Sequence, residues 1–210
     1  MNPASTRILR LVFIALFGFA LVASVVYVQI RDRGLLDPAG GTALEPRPFG
    51  GDFAGLLDQN GAIQPADAFH DKYQLVFFGF THCPAICPGE LQKLAYILAH
   101  LPPDKKARIA PIFVTVDPHR DTPDVMKQYL SMFDPAIIGL TGRQSDIDRV
   151  VAQWKVYALR VDDPQSPGEY TMDHSAFTYL RDPEGWLVDL FDIDAAPDAI
   201  LAALEKRVRS

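Results

Sequence analysis

The only two thiols in this 210-residue chain, Cys83 and Cys87, share one short loop: Phe78-Gly79-Phe80-Thr81-His82-Cys83-Pro84-Ala85-Ile86-Cys87-Pro88. Two sulfurs so close act together, as a metal clamp, a redox couple or both. Either chemistry uses the ionised thiolate. Pro84 and Pro88 preshape the loop, because each fixes φ and removes a donor. Cys87 is expected at or just before a helix N-terminus, where open N–H groups and the helix dipole favour a thiolate. Redox couples of the Cys-x-x-Cys type have two intervening residues; the three here let both sulfurs approach one ion from different sides and still permit a disulfide. Thiolates select soft ions such as Cu(I), or zinc.

The elements around this loop set its position. Leu75–Phe80 is an apolar run, as expected for a strand covered on both faces. A helix leaves the loop with Leu91, Leu94, Leu98 and Leu101 on one stripe, Pro88 in its first turn and Glu90 favouring its N-terminus. Ile109–Val116 is a second buried strand. Thr122-Pro123 opens a helix as N-cap and N1, with Val125, Met126, Tyr129, Leu130 and Phe133 facing inward. Ile137–Leu140 is a short strand, and Ser145 is expected to cap a helix carrying Ile147, Val150, Val151 and Trp154. Asp162 to Met172 reads as irregular. Strands Ser175–Leu180 and Trp186–Leu190 follow, joined by the turn Asp182-Pro183-Glu184-Gly185. A last helix carries Ile200, Leu201, Leu204 and Val208. An earlier hairpin is expected at Asn60-Gly61 with a type I′ turn. This order predicts an α/β, thioredoxin-like three-layer sandwich with a mixed central sheet. An open doubly wound fold competes, but no glycine-rich phosphate loop accompanies it.

Two thiolates leave a copper or zinc ion short of donors, so one of five histidines should complete the set. His100 ends the first long helix, where a cation suits the dipole. His70 stands in a polar stretch and His119 in the polar turn Asp117-Pro118-His119-Arg120-Asp121. Alternation directs His82 away from Cys83, leaving it the role of lowering the thiol pKa. His174, in Met172-Asp173-His174-Ser175, lies where the Pro/Gly segment meets the late hairpin, a joint that a thioredoxin-like sheet brings near the cysteines. A nitrogen donor is needed there, which makes His174 the expected third ligand; a purely structural histidine at a strand edge is the alternative.

Charge and hydropathy divide the chain. The net charge is −6, with Arg7, Arg10, Arg31 and Arg33 in the first 33 residues against Asp32 alone. The rest is acidic enough to repel phosphate backbones, so no nucleic-acid partner is expected. After a short N-terminal segment (1–10), residues 11–30 form an uncharged apolar run long enough to span a bilayer. Its flanking charges favour a cytoplasmic N-terminus. A cleaved signal peptide is the alternative, but the run is long and Tyr27–Arg31 offers no small-x-small site. Residues 31–48, rich in Gly and Pro, read as a flexible tether, and 49–210 as one globular domain.

Three blocks carry a resemblance: the cysteine loop above, then Val116-Asp117-Pro118-x-Arg120-Asp121-Thr122-Pro123, then Asp173-His174-Ser175. In this order, over residue 49 onward, they resemble the Sco/SenC family of copper-delivery proteins. The resemblance implies a thioredoxin-like fold binding one copper ion, Cu(I) or Cu(II), through Cys83, Cys87 and His174. It also implies assistance in forming the binuclear copper centre of cytochrome c oxidase. The partners it implies are the oxidase's copper-bearing subunit, a copper donor protein and a thiol reductant. The implied site of action is the bacterial inner membrane, with a single pass and the C-terminal domain in the periplasm; the mitochondrial inner membrane facing the intermembrane space is the alternative. Some members have an acid within the cysteine loop, where this chain has Ala85 and Ile86. Asp117 is the candidate for a further acid near the site, or else a hydrogen-bonding residue of the Asp-Pro turn. Oxidation to a Cys83–Cys87 disulfide would abolish the metal site and so gate loading. Residues 162–172 are expected to form a loop that moves His174. The rival reading is a thiol–disulfide oxidoreductase, redox-active through Cys83 and Cys87, that keeps the oxidase cysteines reduced. A peroxidase lacks its Thr-x-x-Cys context here, and a copper-dependent redox sensor shares every feature with delivery.

Overall fold

A computed structural model describes Ser24, residues 48–163 and residues 168–209. The expected N-terminal segment, anchor and tether lie outside these residues apart from Ser24 and Pro48. Among the described residues no helix is long and apolar enough to cross a membrane. The chain order begins β1 (Leu57–Asp58), β2 (Tyr73–Gly79), α1 (Ile86–His100), α2 (Pro103–Lys106) and β3 (Ile109–Thr115). It continues with α3 (Pro123–Leu130), β4 (Ile138–Thr141), α4 (Gln144–Gln153), β5 (Ala158–Asp162) and β6 (Tyr170–His174). β7 (Thr178–Arg181), β8 (Leu187–Phe191) and α5 (Pro197–Arg207) complete it.

β2 and β3 are buried along their whole lengths, as their apolar runs at 75–78 and 109–114 require. They pair in parallel at the centre of a six-stranded sheet ordered β1-β4-β3-β2-β7-β8. β4 extends the parallel side, while β1, β7 and β8 join antiparallel. Pro111 is tolerated in β3 because the ladder with β4 begins only at Ile112. Register puts Phe77, Phe113 and Gly139 on one face and Phe78, Val114 and Leu140 on the other. The first face receives Tyr129 against Phe113, and Met126 and Leu130 against Gly139. The second receives Trp154, whose ring meets Phe49, Phe53, Phe78 and Tyr179. Right-handed crossovers leave α1 and α3 on the same side, and α5 packs beside α1. The result is the expected thioredoxin-like sheet with both faces covered.

Several local expectations need correction. Asn60-Gly61 does not form a type I′ turn: among the described residues Gly61 has φ 81° and Lys155 is the one non-glycine with positive φ. Instead Gln59-Asn60-Gly61 form a three-residue loop, closed by the Asp58 N–H on the Ala62 carbonyl, and the Asp58 carboxylate accepts the N–H groups of Asn60 and Ala62. Glu90 lies beyond the first turn of α1 and is buried, paired with Lys93 at 2.7 Å. α4 starts before Ser145, with Arg143 at the N-cap position and bound to Asp146. Both ends of the stretch read as irregular are strand, Asp162 in β5 and residues 170–172 in β6, since β5 pairs with β6 as a hairpin from Ala158↔His174 to Asp162↔Tyr170. Its apolar Leu159 and Val161 face solvent while Arg160 lies against Tyr170, so alternation there does not mark a core.

Candidate metal centre

β2 delivers the cysteine loop to the top of the sheet, and Gly79 makes room for it. A Cβ on Gly79 would sit 2.8 Å from both the Cys87 Sγ and Phe113 Cε2, so only glycine lets Cys87 settle on the sheet. The chain then turns through Thr81 and His82 into α1, which begins at Ile86 with Ala85 as an uncapped N-cap. Cys87 therefore lies inside the helix and is buried, while Cys83 lies before it and is partly exposed.

This placement reverses the expected roles of the sulfurs. The open N–H of Cys87 donates to the Cys83 sulfur at 3.3 Å. Cys83 is lowered to about 5, chiefly by the hydrogen bond from the Cys87 thiol; burial opposes this, and the backbone N–H groups of Cys87, Ala85 and Ile86 add to it. Cys87 is pushed up, first by donating that same bond and then by burial. The helix N-terminus thus serves Cys83. His82 takes no part: its Nδ1 contacts Thr81 Oγ1 at 3.1 Å, and Asp121 lies 3.9 Å away.

Asp121, which sequence reasoning passed over, anchors the loop. It is fully buried, and its two oxygens accept the Thr81 N–H at 3.0 Å, the Thr81 hydroxyl at 2.5 Å and the Thr115 hydroxyl at 2.6 Å. Burial raises its carboxyl despite these donors. The Thr81···Arg120-Asp121-Thr122 spacing was the available signal, but nothing in a sequence tells which aspartate of Asp117-Pro118-His119-Arg120-Asp121 turns inward.

His174 closes β6. Its Nδ1 lies 3.0 Å from the Ser175 carbonyl, which can only accept, so Nδ1 carries a proton, and in the neutral imidazole Nε2 is the nitrogen open to a metal. Nε2 lies 3.9 Å from the Cys87 Sγ. Phe77 and Phe80 meet the imidazole edge-on and fix the ring plane. The strand itself is clamped at its other end. The Tyr170 ring lies between the guanidinium carbons of Arg120 at 3.7 Å and Arg160 at 3.8 Å. Its hydroxyl donates to Asp117 at 2.9 Å, and Arg120 Nε donates to the other Asp117 oxygen. Both oxygens of Asp117 are therefore engaged, one by Arg120 of its own turn and one by Tyr170 of the hairpin, so its bonds reach beyond the Asp-Pro turn expected for it.

A solvent-open cleft of about 290 Å³ joins these parts, lined by Phe80, Cys83, Pro84, Met172 and His174 among others. Sulfur and nitrogen donors at about 2.3 Å and about 2.0 Å from one ion span the observed 3.9 Å at an angle of roughly 130°. The donor chemistry and this separation fit a soft ion. Among the described residues no three His, Cys, Asp or Glu side chains are yet drawn around one point. The remaining histidines stand elsewhere: His70 is exposed, His100 bonds the Tyr96 carbonyl at the end of α1, and His119 lines a separate cavity of about 260 Å³ with Asp117 and Arg160.

Residues 41–209 match the family model described as SCO1/SenC. This chain belongs to the SCO1/SenC family. A SCO2-like protein of Rickettsia felis is 44% identical over 157 residues, covering 75% of this chain and 76% of that protein. The mitochondrial SCO2 of Saccharomyces cerevisiae is 45% identical over 141 residues, 67% of this chain and 46% of its own length. The chain thus spans about half of the yeast relative. Among solved structures, copper-bound ScoI of Bradyrhizobium japonicum superimposes with a TM-score of 0.68 at 40% identity, covering 75% of this chain and 98% of that one. The SCO1/SenC fold accounts for the paired thiols above a mixed sheet, and members of the family include both mitochondrial and bacterial proteins.

Proposed function

We propose that this chain carries one copper ion on Cys83, Cys87 and His174 and passes it on during assembly of the binuclear copper centre of cytochrome c oxidase. The observation that carries the reading is that His174 Nε2 lies 3.9 Å from the buried Cys87 sulfur, beside a cleft that exposes both Cys83 and His174. Family membership and the copper held by the Bradyrhizobium relative support it. Cys83 supplies an anionic sulfur at neutral pH, Cys87 a second sulfur whose proton leaves to solvent as the metal binds, and His174 a ring nitrogen of fixed orientation. The open side of the cleft lets the ligands of an acceptor subunit replace these donors one at a time. In this reading residues 11–30 anchor the chain in the bacterial inner membrane, 31–48 tether it, and the domain works in the periplasm. A copper donor protein and a thiol reductant are its further partners.

The asymmetric thiols also favour a second reading, a thiol–disulfide oxidoreductase. The Cys83 thiolate would attack a partner disulfide and displace one partner thiolate, which takes a proton. Cys87 would then lose its proton and displace the second, leaving a Cys83–Cys87 disulfide and a dithiol partner, with two electrons transferred. His174→Ala separates the readings. Copper delivery predicts that copper affinity falls by more than the roughly 10–100-fold typical of outer-shell losses while alkylation of Cys83 is unchanged. Unchanged affinity and full rescue of oxidase assembly by His174→Ala, with none by Cys83→Ser, would leave the oxidoreductase.

A further inference from the structure

At the opposite end of β2 from the thiols, a groove of about 590 Å³ is lined by Arg108, Lys206, Arg207 and Arg209 together with Tyr73 and Trp186. Four cations in one groove stand out in a chain of net charge −6. Two carboxylates share the lining, Asp182 and Glu184, but Asp182 is committed to the Trp186 N–H at 2.7 Å. Arg207 bonds Asp189 at 2.8 Å, while Arg108, Lys206 and Arg209 are exposed. Trp186 adds a half-buried aromatic ring of the kind that settles at a lipid–water interface.

The groove also lies where the chain enters the domain. Phe49 donates its N–H to the Gly185 carbonyl at 2.8 Å, and Gly185 sits in the turn between the groove residues Glu184 and Trp186. A flexible linker of 17 residues, the number from 31 to 47, has a root-mean-square reach of about 20–25 Å, so in the tethered arrangement proposed above a bilayer would lie within reach of this groove. At that distance even a weak attraction is exercised at high effective concentration.

We propose that this basic groove docks on anionic phospholipid headgroups, so that the domain rests on the bilayer by its tether end and presents Cys83, Cys87 and His174 outward. β2, seven residues long, separates the two ends by about 20 Å. Charge complementarity selects the partner: anionic lipid attracts clustered Lys and Arg, and the attraction fades with salt. The inference rests on the membrane anchorage proposed above.

The test is hydrogen exchange on the full chain in nanodiscs of phosphatidylcholine alone, or with one quarter phosphatidylglycerol. Exchange of residues 182–188 and 204–209 is expected to slow severalfold on the anionic discs only. High salt, or the triple variant Arg108→Glu, Lys206→Glu, Arg209→Glu, should abolish the difference, while residues 83–87 stay unaffected. Equal exchange on both lipids, or protection at the thiol end instead, would overturn the proposal, and this comparison needs no variant. If the chain does not enter nanodiscs, the anchorage reading fails by itself. Flotation with vesicles of the same two compositions then decides the groove: binding that requires phosphatidylglycerol supports it and its absence overturns it.

Discussion

Cys83 and Cys87 differ because α1 begins one residue before Cys87. Cys83 accepts the hydrogen bond of the Cys87 thiol, with the helix N–H groups that point back to it adding to the effect, while Cys87 donates that bond and is buried. The consequence is a testable inequality. In the reduced, metal-free protein, alkylation of Cys83 should be fast at pH 7 and fall off only as pH drops through about 5, where its lowered pKa lies. Cys87 should stay unmodified throughout that range, because its thiol is pushed up. Mass spectrometry of the two peptides reads both; equal rates, or a Cys83 midpoint at ordinary thiol values, would refute the assignment. The spacing of the pair could be read from residue types alone, and the place of His174 beside Cys87 from the expected fold. Which sulfur ionises could not, because it turns on whether the helix starts at Ile86 or at Pro88, and two prolines with no capping side chain leave that boundary unmarked.

The hairpin β5–β6 is the element that positions His174, the nitrogen donor proposed for the site. His174 ends one strand, Tyr170 begins it, and two guanidinium groups with Asp117 grip that tyrosine. Tyr170→Leu removes both stacked cations and one donor to a buried carboxylate, and should destabilise the protein by roughly 2 kcal/mol or more. It should also weaken copper binding several-fold, because the strand that carries His174 loses its far anchor. Tyr170→Phe keeps the sandwich and should recover most of the copper affinity. Urea unfolding and copper competition titrations measure the two effects; a Leu variant that binds copper like the parent would separate the clamp from the site. The hairpin escaped sequence reading for a physical reason. It lies outside the main sheet, exposes Leu159 and Val161, and carries Pro164 and Pro167 between its strands, so its composition is that of a loop.

Across the whole molecule, the parallel strands and the helices between them were legible because β2 and β3 are covered on both faces and carry long apolar runs. Trp154 is the keystone of the second face, fully buried against rings from the entry segment, β2 and β7. Trp154→Ala should therefore cost about 3–5 kcal/mol in unfolding experiments. The fraction that remains folded should bind copper normally, since the thiols and His174 lie over the other face. The central claim is that two thiols and one imidazole share a single copper ion. Copper K-edge absorption of the reduced chain loaded with one equivalent tests it most directly. The account predicts two sulfur scatterers and one imidazole nitrogen, with the nitrogen lost in His174→Ala; a purely sulfur environment that the His174→Ala substitution leaves unchanged would contradict it.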